Sequence, residues 1–124
     1  MSTVHERFAA GAIIYKEGEA GDKMYVITEG EVNIIRDYGE ANIVLAHLKQ
    51  GEFFGEMSVF NAKPRSATAI ADTAAVLLPY TADEMDDLVA NRPFIATRII
   101  RSLGNRLRET TNDLVALQHR FDAK

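Results

Sequence analysis

The feature that most constrains this fold is a series of short apolar runs with a period near two, which fills the chain from Ala12 to Pro79. The runs are rich in Val, Ile and Tyr, and turns that contain glycine separate them, as at Glu29-Gly30-Glu31. Such runs predict antiparallel β-strands, because glycine supplies the positive φ that tight reversals need. Many short strands at this spacing predict an antiparallel β-barrel or jelly roll, the double-stranded β-helix. The predicted strands cover residues 12–16, 23–29, 31–37, 42–48, 66–72 and 74–79.

The period changes at Thr81, where Thr81-Ala82-Asp83-Glu84 has the pattern of a capping box and predicts a short helix to about Ala90. Asn91-Arg92-Pro93 ends that helix and opens a long C-terminal one, since proline is tolerated in a first helical turn. The predicted fold class is therefore mainly β with helices. A length of 124 residues fits one domain over 1–124, with a barrel over about 7–80 and helices over about 81–122.

The long helix carries a narrow apolar stripe. With Thr110 included, the spacing of its members alternates between three and four, which is a heptad pattern. A stripe this narrow predicts a parallel homodimer through the helix, and the alternative is that the stripe covers the barrel. The seam consists of Ile100, Leu103, Leu107, Leu114, Leu117 and Phe121.

Composition excludes several classes of protein. The chain has no cysteine, no apolar run long enough to span a bilayer and no signal-type segment after Met1, so we expect a cytoplasmic protein without a membrane partner. The net charge is −4, with seven Lys/Arg and three Asp/Glu in residues 92–124 and about −8 on the rest. This balance argues against nucleic acid as a partner.

The sequence does not predict catalysis or metal binding. His5, His47 and His119 stand singly along the chain and suggest no ligand cluster, and His47 is expected to be an ordinary barrel residue. No nucleophile with an adjacent base is evident. We therefore expect neither an enzyme nor a metal site.

Residues 51–68 contain features that barrel building does not explain. A turn at Gly55 that feeds one helical turn would direct backbone N–H groups at one spot, where an anion can bind. Arg65, just before a strand, can grip two oxygens of a phosphate, Ser66 adds a hydroxyl, and an ionised Glu56 suits a sugar hydroxyl. The alternative is that Gly55 only forms a turn and that Glu56 and Arg65 are a structural ion pair.

The segments Phe54-Gly55-Glu56-Met57-Ser58 and Pro64-Arg65-Ser66-Ala67-Thr68 resemble the phosphate-binding cassette of the cyclic nucleotide-binding domain family. The resemblance runs from about Arg7 to Asn112. It implies that Arg65 pairs with the exocyclic phosphate oxygens, that Glu56 accepts from the ribose 2′-hydroxyl, and that the backbone of 55–58 with Ser66 completes the cradle. Further residues that it places at the site are Phe54, Ala67, and the apolar Met57, Val44 and Leu45.

The last helix is similar to that of the bacterial catabolite activator branch of this family, in the stretch from Arg106 to Thr111. The similarity implies that two threonines contact the amino group of one bound adenine. Thr110 would come from the subunit that holds the nucleotide, and Thr111 would come from the partner subunit. Alternatively, Thr110 is a polar seam position that tunes dimer specificity.

Together, these resemblances imply a stand-alone cyclic nucleotide sensor that signals through its C-terminal helix to an unknown downstream protein. Because Ser66 resembles the cAMP-responsive branch, whereas cGMP-selective members often have Thr there, cAMP is the expected ligand rather than cGMP. No helix-turn-helix precedes Lys124, so no DNA-binding domain is expected. The alternative is a domain of the same fold that has lost nucleotide binding and serves in dimerisation or protein interaction.

Overall fold

The computed structural model describes residues 4–39 and 41–122. The chain forms two compact units, Met1–Asp86 and Asp87–Lys124. The strands are β1 Glu6–Phe8, β2 Ile13–Tyr15, β3 Lys23–Glu29, β4 Val32–Tyr38, β5 Ala41–Leu48, β6 Phe53–Phe54, β7 Thr68–Ala71 and β8 Ala75–Thr81. The helices are α1 Glu56–Phe60, α2 Ala82–Asn91 and α3 Pro93–Asp122.

The strands form two four-stranded sheets, in the orders β1-β8-β3-β6 and β2-β7-β4-β5, and every pairing is antiparallel. This confirms the predicted fold class, a mainly β jelly-roll type with helices. All six predicted strands are present. The prediction missed β1 and β6, which have only 3 and 2 residues and are too short to show a period in the sequence.

Both sheets contribute to one apolar core. Its centre includes Ile27 and Leu77 from the first sheet and Val32 and Ala69 from the second, all of them at most 1% exposed. Burial of this apolar surface is the main force that holds the sheets together. The strand ends around this core position the loops described below.

The predicted capping box is confirmed. The Glu84 N–H donates to Thr81 Oγ1 at 3.3 Å, and the Thr81 N–H donates to Glu84 Oε1 at 3.2 Å. Each side chain therefore accepts the hydrogen bond of the other residue's backbone N–H. The predicted start of the long helix is also correct, since Pro93 is the first residue of α3. No helix in the described part of the chain is both long and apolar enough to cross a bilayer. The expectation of one domain over 1–124 stays a prediction.

Candidate functional site

A loop between β6 and β7 carries the cassette residues. Its helix α1 is a single turn, and the N-cap residue Gly55 has φ 81°, in the left-handed region that favours glycine. A Cβ at this position would also lie 2.7 Å from Nη1 of Arg65. Gly55 is therefore required both by its backbone conformation and by the close approach of the arginine.

The backbone of Arg65 is fixed by the loop between β2 and β3. The Arg65 N–H donates to the Glu19 carbonyl at 2.8 Å, and the Gly18 N–H donates to the Arg65 carbonyl at 2.8 Å. A third bond runs from the Glu17 N–H to Thr68 Oγ1 at 3.0 Å. These bonds join two loops that are distant in sequence and set where the Arg65 side chain starts.

The Arg65 side chain is buried, with 6% of the residue exposed. Nη1 donates to the Gly55 carbonyl at 3.0 Å, and Nη2 donates to the Lys23 carbonyl at 2.7 Å. The guanidinium carbon lies 4.0 Å from the centre of the Tyr15 ring. Nε is buried without a hydrogen-bond partner, which is costly for a cationic donor. The guanidinium is thus oriented in advance, with one buried donor unsatisfied.

The other predicted cassette residues differ in how far they are buried. Phe54 and Ala67 are buried apolar residues, and the Phe54 ring packs 5.4 Å from the Tyr25 ring. Ser58 is also buried, Glu56 is half-buried, and Met57 and Ser66 are exposed. The ligand roles assigned to these residues stay predictions.

Sequence reasoning missed three contributors to this site: Tyr15, Gly21 and Lys23. A Cβ on Gly21 would lie 2.3 Å from Nε of Arg65, so the guanidinium occupies space that only glycine leaves open without a shift. The glycine-rich turn before β3 predicted a chain reversal, but it did not predict that the Arg65 guanidinium lies against Gly21. The Lys23 contribution is a carbonyl oxygen, and the identity of a side chain does not predict it.

Val44 and Leu45 lie on β5, the edge strand of the second sheet, and both are more than half exposed. Ile34 pairs with Ala46 and Ile35 with Val44, so Leu45 is the extra residue of a β-bulge. The bulge interrupts the usual alternation of side chains between the two faces of a strand. Their predicted contact with a nucleotide stays a prediction.

Arg106, Thr110 and Thr111 lie on α3, which belongs to the second unit. Both threonines are exposed, and the Thr111 hydroxyl donates to the Leu107 carbonyl at 2.8 Å. The seam members Ile100, Leu107 and Leu114 are 65%, 69% and 62% exposed. Leu117 is also exposed and Leu103 is half-buried, while the Phe121 side chain lies outside the described residues.

His47 stands alone in the sequence but not in the fold, and the expectation of no metal site stays a prediction. The His47 ring lies beside the carboxylates of Glu31 and Asp72, which are far apart in the sequence. Strand pairing brings these three residues together, and spacing along the chain could not show this.

The fold and this loop define a class of jelly-roll domain in which an arginine-containing loop packs against a glycine-capped turn of helix. The family model of the cyclic nucleotide-binding domain matches residues 5–92, and the chain belongs to that family. This confirms the resemblance found in the sequence.

Characterised relatives support this membership. The "CRP-like cAMP-activated global transcriptional regulator" of Mycobacterium tuberculosis is 35% identical over 89% of this chain, which spans 50% of that protein. The crystal structure of the Thermus thermophilus catabolite activator protein has a TM-score of 0.81 and 31% identity, covering 94% of this chain and 55% of that one. A cyclic nucleotide-binding domain from Methylobacillus flagellatus has a TM-score of 0.75 and 28% identity, covering 90% of this chain and 65% of that one.

Proposed function

We propose that this chain is a sensor module that binds a cyclic nucleotide, with cAMP preferred over cGMP, and that it acts by binding rather than by catalysis. The observation that carries the proposal is the buried, pre-oriented Arg65 with its unsatisfied Nε. A buried cation in this state is best explained by an anionic ligand that completes its hydrogen bonds. The regulator from Mycobacterium tuberculosis is named for activation by cAMP, which supports the choice of ligand class.

The donors of Arg65 suit a cyclic phosphate. A guanidinium has five N–H groups, and the carbonyls of Gly55 and Lys23 accept from two of them. The remaining donors can serve phosphate oxygens, and a cyclic phosphate carries a single negative charge that one arginine balances. In this proposal Glu56 accepts from the ribose hydroxyl, because an ionised carboxylate is an acceptor only.

Contacts to the base would come from α3, through Thr110 of the same chain and Thr111 of a second copy. The Thr111 hydroxyl donates to the Leu107 carbonyl, and its oxygen can still accept a hydrogen bond from an adenine amino group. Contact between α3 and the base would make ligand affinity depend on the position of that helix. This dependence is what allows binding to shift the helix and change the surface that a downstream protein meets.

We also propose that α3 pairs with α3 of a second copy. Its heptad seam includes large apolar side chains that are mostly exposed in the single chain, at Ile100, Leu107 and Leu114. A parallel helix pair would bury them together. The partner subunit would then supply its own Thr111 to the base.

One observation favours the alternative, a domain of this fold that no longer binds nucleotide. The two hydrogen bonds from Arg65 to the carbonyls of Gly55 and Lys23 already fix its side chain without a ligand. In that case Arg65 would be structural, and the exposed seam of α3 would carry the function as an interaction surface.

The deciding experiment is isothermal titration of the purified protein with cAMP and, separately, with cGMP. The test variant is Arg65→Lys, which keeps the charge but loses the planar fork, and the control is Arg36→Lys on the exposed part of β4. We expect saturable binding that Arg65→Lys weakens by roughly tenfold or more and that the control retains. Circular dichroism melts confirm that both variants are folded.

Folded, ligand-free protein that gives no heat with either nucleotide would contradict the sensor proposal and favour the alternative. Equal binding by the wild type and by Arg65→Lys would show that the nucleotide does not use this arginine.

A further inference from the structure

A second cluster of polar side chains lies in the first unit, on the sheet formed by β2, β7, β4 and β5. Glu31 lies in the turn between β3 and β4, His47 is on β5, and Asp72 follows β7 directly. Each offers one ligand atom, and these three atoms all lie within 4.8 Å of one another. All three residues are at least partly exposed, so a solute can reach them.

Hydrogen bonds and strand pairing position the residues of this cluster. The Asp72 N–H donates to the Glu31 carbonyl at 2.9 Å, and the Glu31 N–H donates to Thr73 Oγ1 at 3.0 Å. His47 is paired across the ladder with Asn33. Hydrogen bonds of the backbone therefore hold Asp72 and Glu31 together, and strand pairing places His47 beside them.

The ring of His47 lies between two oxygen acceptors. Nδ1 contacts Asn33 Oδ1, and Nε2 lies 2.9 Å from Glu31 Oε1. A neutral imidazole carries one N–H, so if Nδ1–H donates to Asn33, the lone pair of Nε2 faces the Glu31 carboxylate. Either a proton, as in the ion pair of an imidazolium with Glu31, or a metal cation can bridge these two atoms. Metal-binding histidines show this same arrangement, with the second nitrogen donating to a carbonyl or carboxylate.

We propose that Glu31, His47 and Asp72 bind a divalent zinc-like cation through His47 Nε2 and one oxygen from each carboxylate. One imidazole and two carboxylates are ligands that Zn²⁺ accepts, and three protein ligands leave a fourth tetrahedral position for water. Mg²⁺ and Ca²⁺ prefer oxygen ligands only, so they fit this set less well. Asn33 is a positioning residue that fixes the tautomer of His47. This site is separate from Arg65 and does not depend on nucleotide binding.

The test is a titration of the chelator-treated full chain with Zn²⁺, and with Co²⁺ as a spectroscopic probe. We expect one saturable site per chain and a visible Co²⁺ absorption band that reports a low coordination number. His47→Gln and Glu31→Gln should each weaken Zn²⁺ binding by roughly tenfold or more, and Asn33→Ala by about tenfold through the ring orientation. His5→Gln and His119→Gln are matched controls and should bind as the wild type does.

The proposal is wrong if Zn²⁺ shows no saturable binding. It is equally wrong if Glu31→Gln and Asp72→Asn, which preserve shape, bind Zn²⁺ as tightly as the wild type, because a proton then bridges His47 and Glu31. Loss of binding in His119→Gln alone would assign the metal to a different surface. If His47→Gln fails to fold, the shape-preserving variants Glu31→Gln and Asp72→Asn still decide the test.

Discussion

The central carbon of the Arg65 guanidinium lies 4.0 Å from the centre of the Tyr15 ring. The same ring packs against Phe54 at 5.9 Å between centroids, so the ring that Arg65 contacts belongs to an aromatic cluster. An aromatic face attracts a cation and, unlike a carboxylate, does not neutralise it. Arg65 therefore keeps its charge for an incoming anion.

Replacing Tyr15 with Leu removes this face, and we expect nucleotide affinity to fall by roughly tenfold, because a desolvated cation–π contact contributes about that much. Tyr15→Phe is the matched control, since it keeps the ring, and it should retain most of the affinity. Isothermal titration measures both. A loss of the same size in Tyr15→Phe would show that the hydroxyl, rather than the face of the ring, supports the site.

Gly21→Ala tests the close approach of the guanidinium. The new Cβ would lie 2.3 Å from Nε, so Arg65 must move and its bonds to the two carbonyls must weaken. We expect nucleotide affinity to drop by roughly tenfold or more, because hydrogen bonds from charged groups are among the strongest in proteins. Affinity equal to that of the wild type would mean that the arginine can bind from another position.

Gly104→Ala is the same substitution in open space within α3, where nothing beyond the adjoining helix backbone lies within 4 Å of the new Cβ. It should leave nucleotide affinity unchanged and raise the free energy of unfolding by about 0.5–1 kcal/mol, because alanine is the better helix former. Urea unfolding measures the second effect.

Ser66→Thr tests the preference for the base. The branched side chain holds its hydroxyl in fewer rotamers. If this hydroxyl meets the guanine amino group, the ratio of cGMP to cAMP affinity should rise by roughly threefold to tenfold, the contribution of one hydrogen bond. Competition titrations give the ratio. An unchanged ratio would place the determinant of base preference elsewhere.

Leu107→Glu tests the seam of α3. A charge at this mostly exposed seam position should disrupt the helix pair and yield monomers in sedimentation equilibrium. Asn112→Glu adds a charge at a nearby exposed position off the seam and should leave the mass unchanged. Equal masses for Leu107→Glu and the wild type would contradict the dimer.

Burial raises the pKa of Tyr25 above its usual 10.0, and the nearby Glu6 carboxylate adds to the increase. The folded chain thus keeps the phenol proton to a higher pH than the unfolded chain does. The stabilisation is fully present below pH 10.0 and is lost as the pH rises through the folded-state pKa. Subtracting the phenolate absorbance titration of Tyr25→Phe from that of the wild type isolates this group. A Tyr25 titration at or below the usual value would contradict the burial effect.

The sequence predicted the fold well, because alternating patterns and glycine turns are local signals. The capping box of Thr81 and Glu84 and the helix start at Pro93 are predictable for the same reason. The short strands β1 and β6 were not, since two or three residues in a strand are fixed by their neighbours in the sheet rather than by their own pattern.

The sequence predicted the candidate site only where its chemistry depends on the identity of a side chain. Arg65 and Gly55 could be singled out from the sequence, and the structure places them together. The Lys23 carbonyl and the space beside Gly21 depend on backbone position, and the cluster around His47 depends on strand pairing. Contacts between residues distant in sequence leave no local pattern.

The length of α3 has a mechanical consequence. Its 30 residues make a rod of about 45 Å at the rise of an α-helix. If α3 moves as one body, a rotation of about 5° at one end displaces the other end by about 4 Å. A ligand-dependent rotation of α3 that is too small to alter any strand would thus give a larger displacement at the far end of the helix. A probe of motion is therefore best attached at that end.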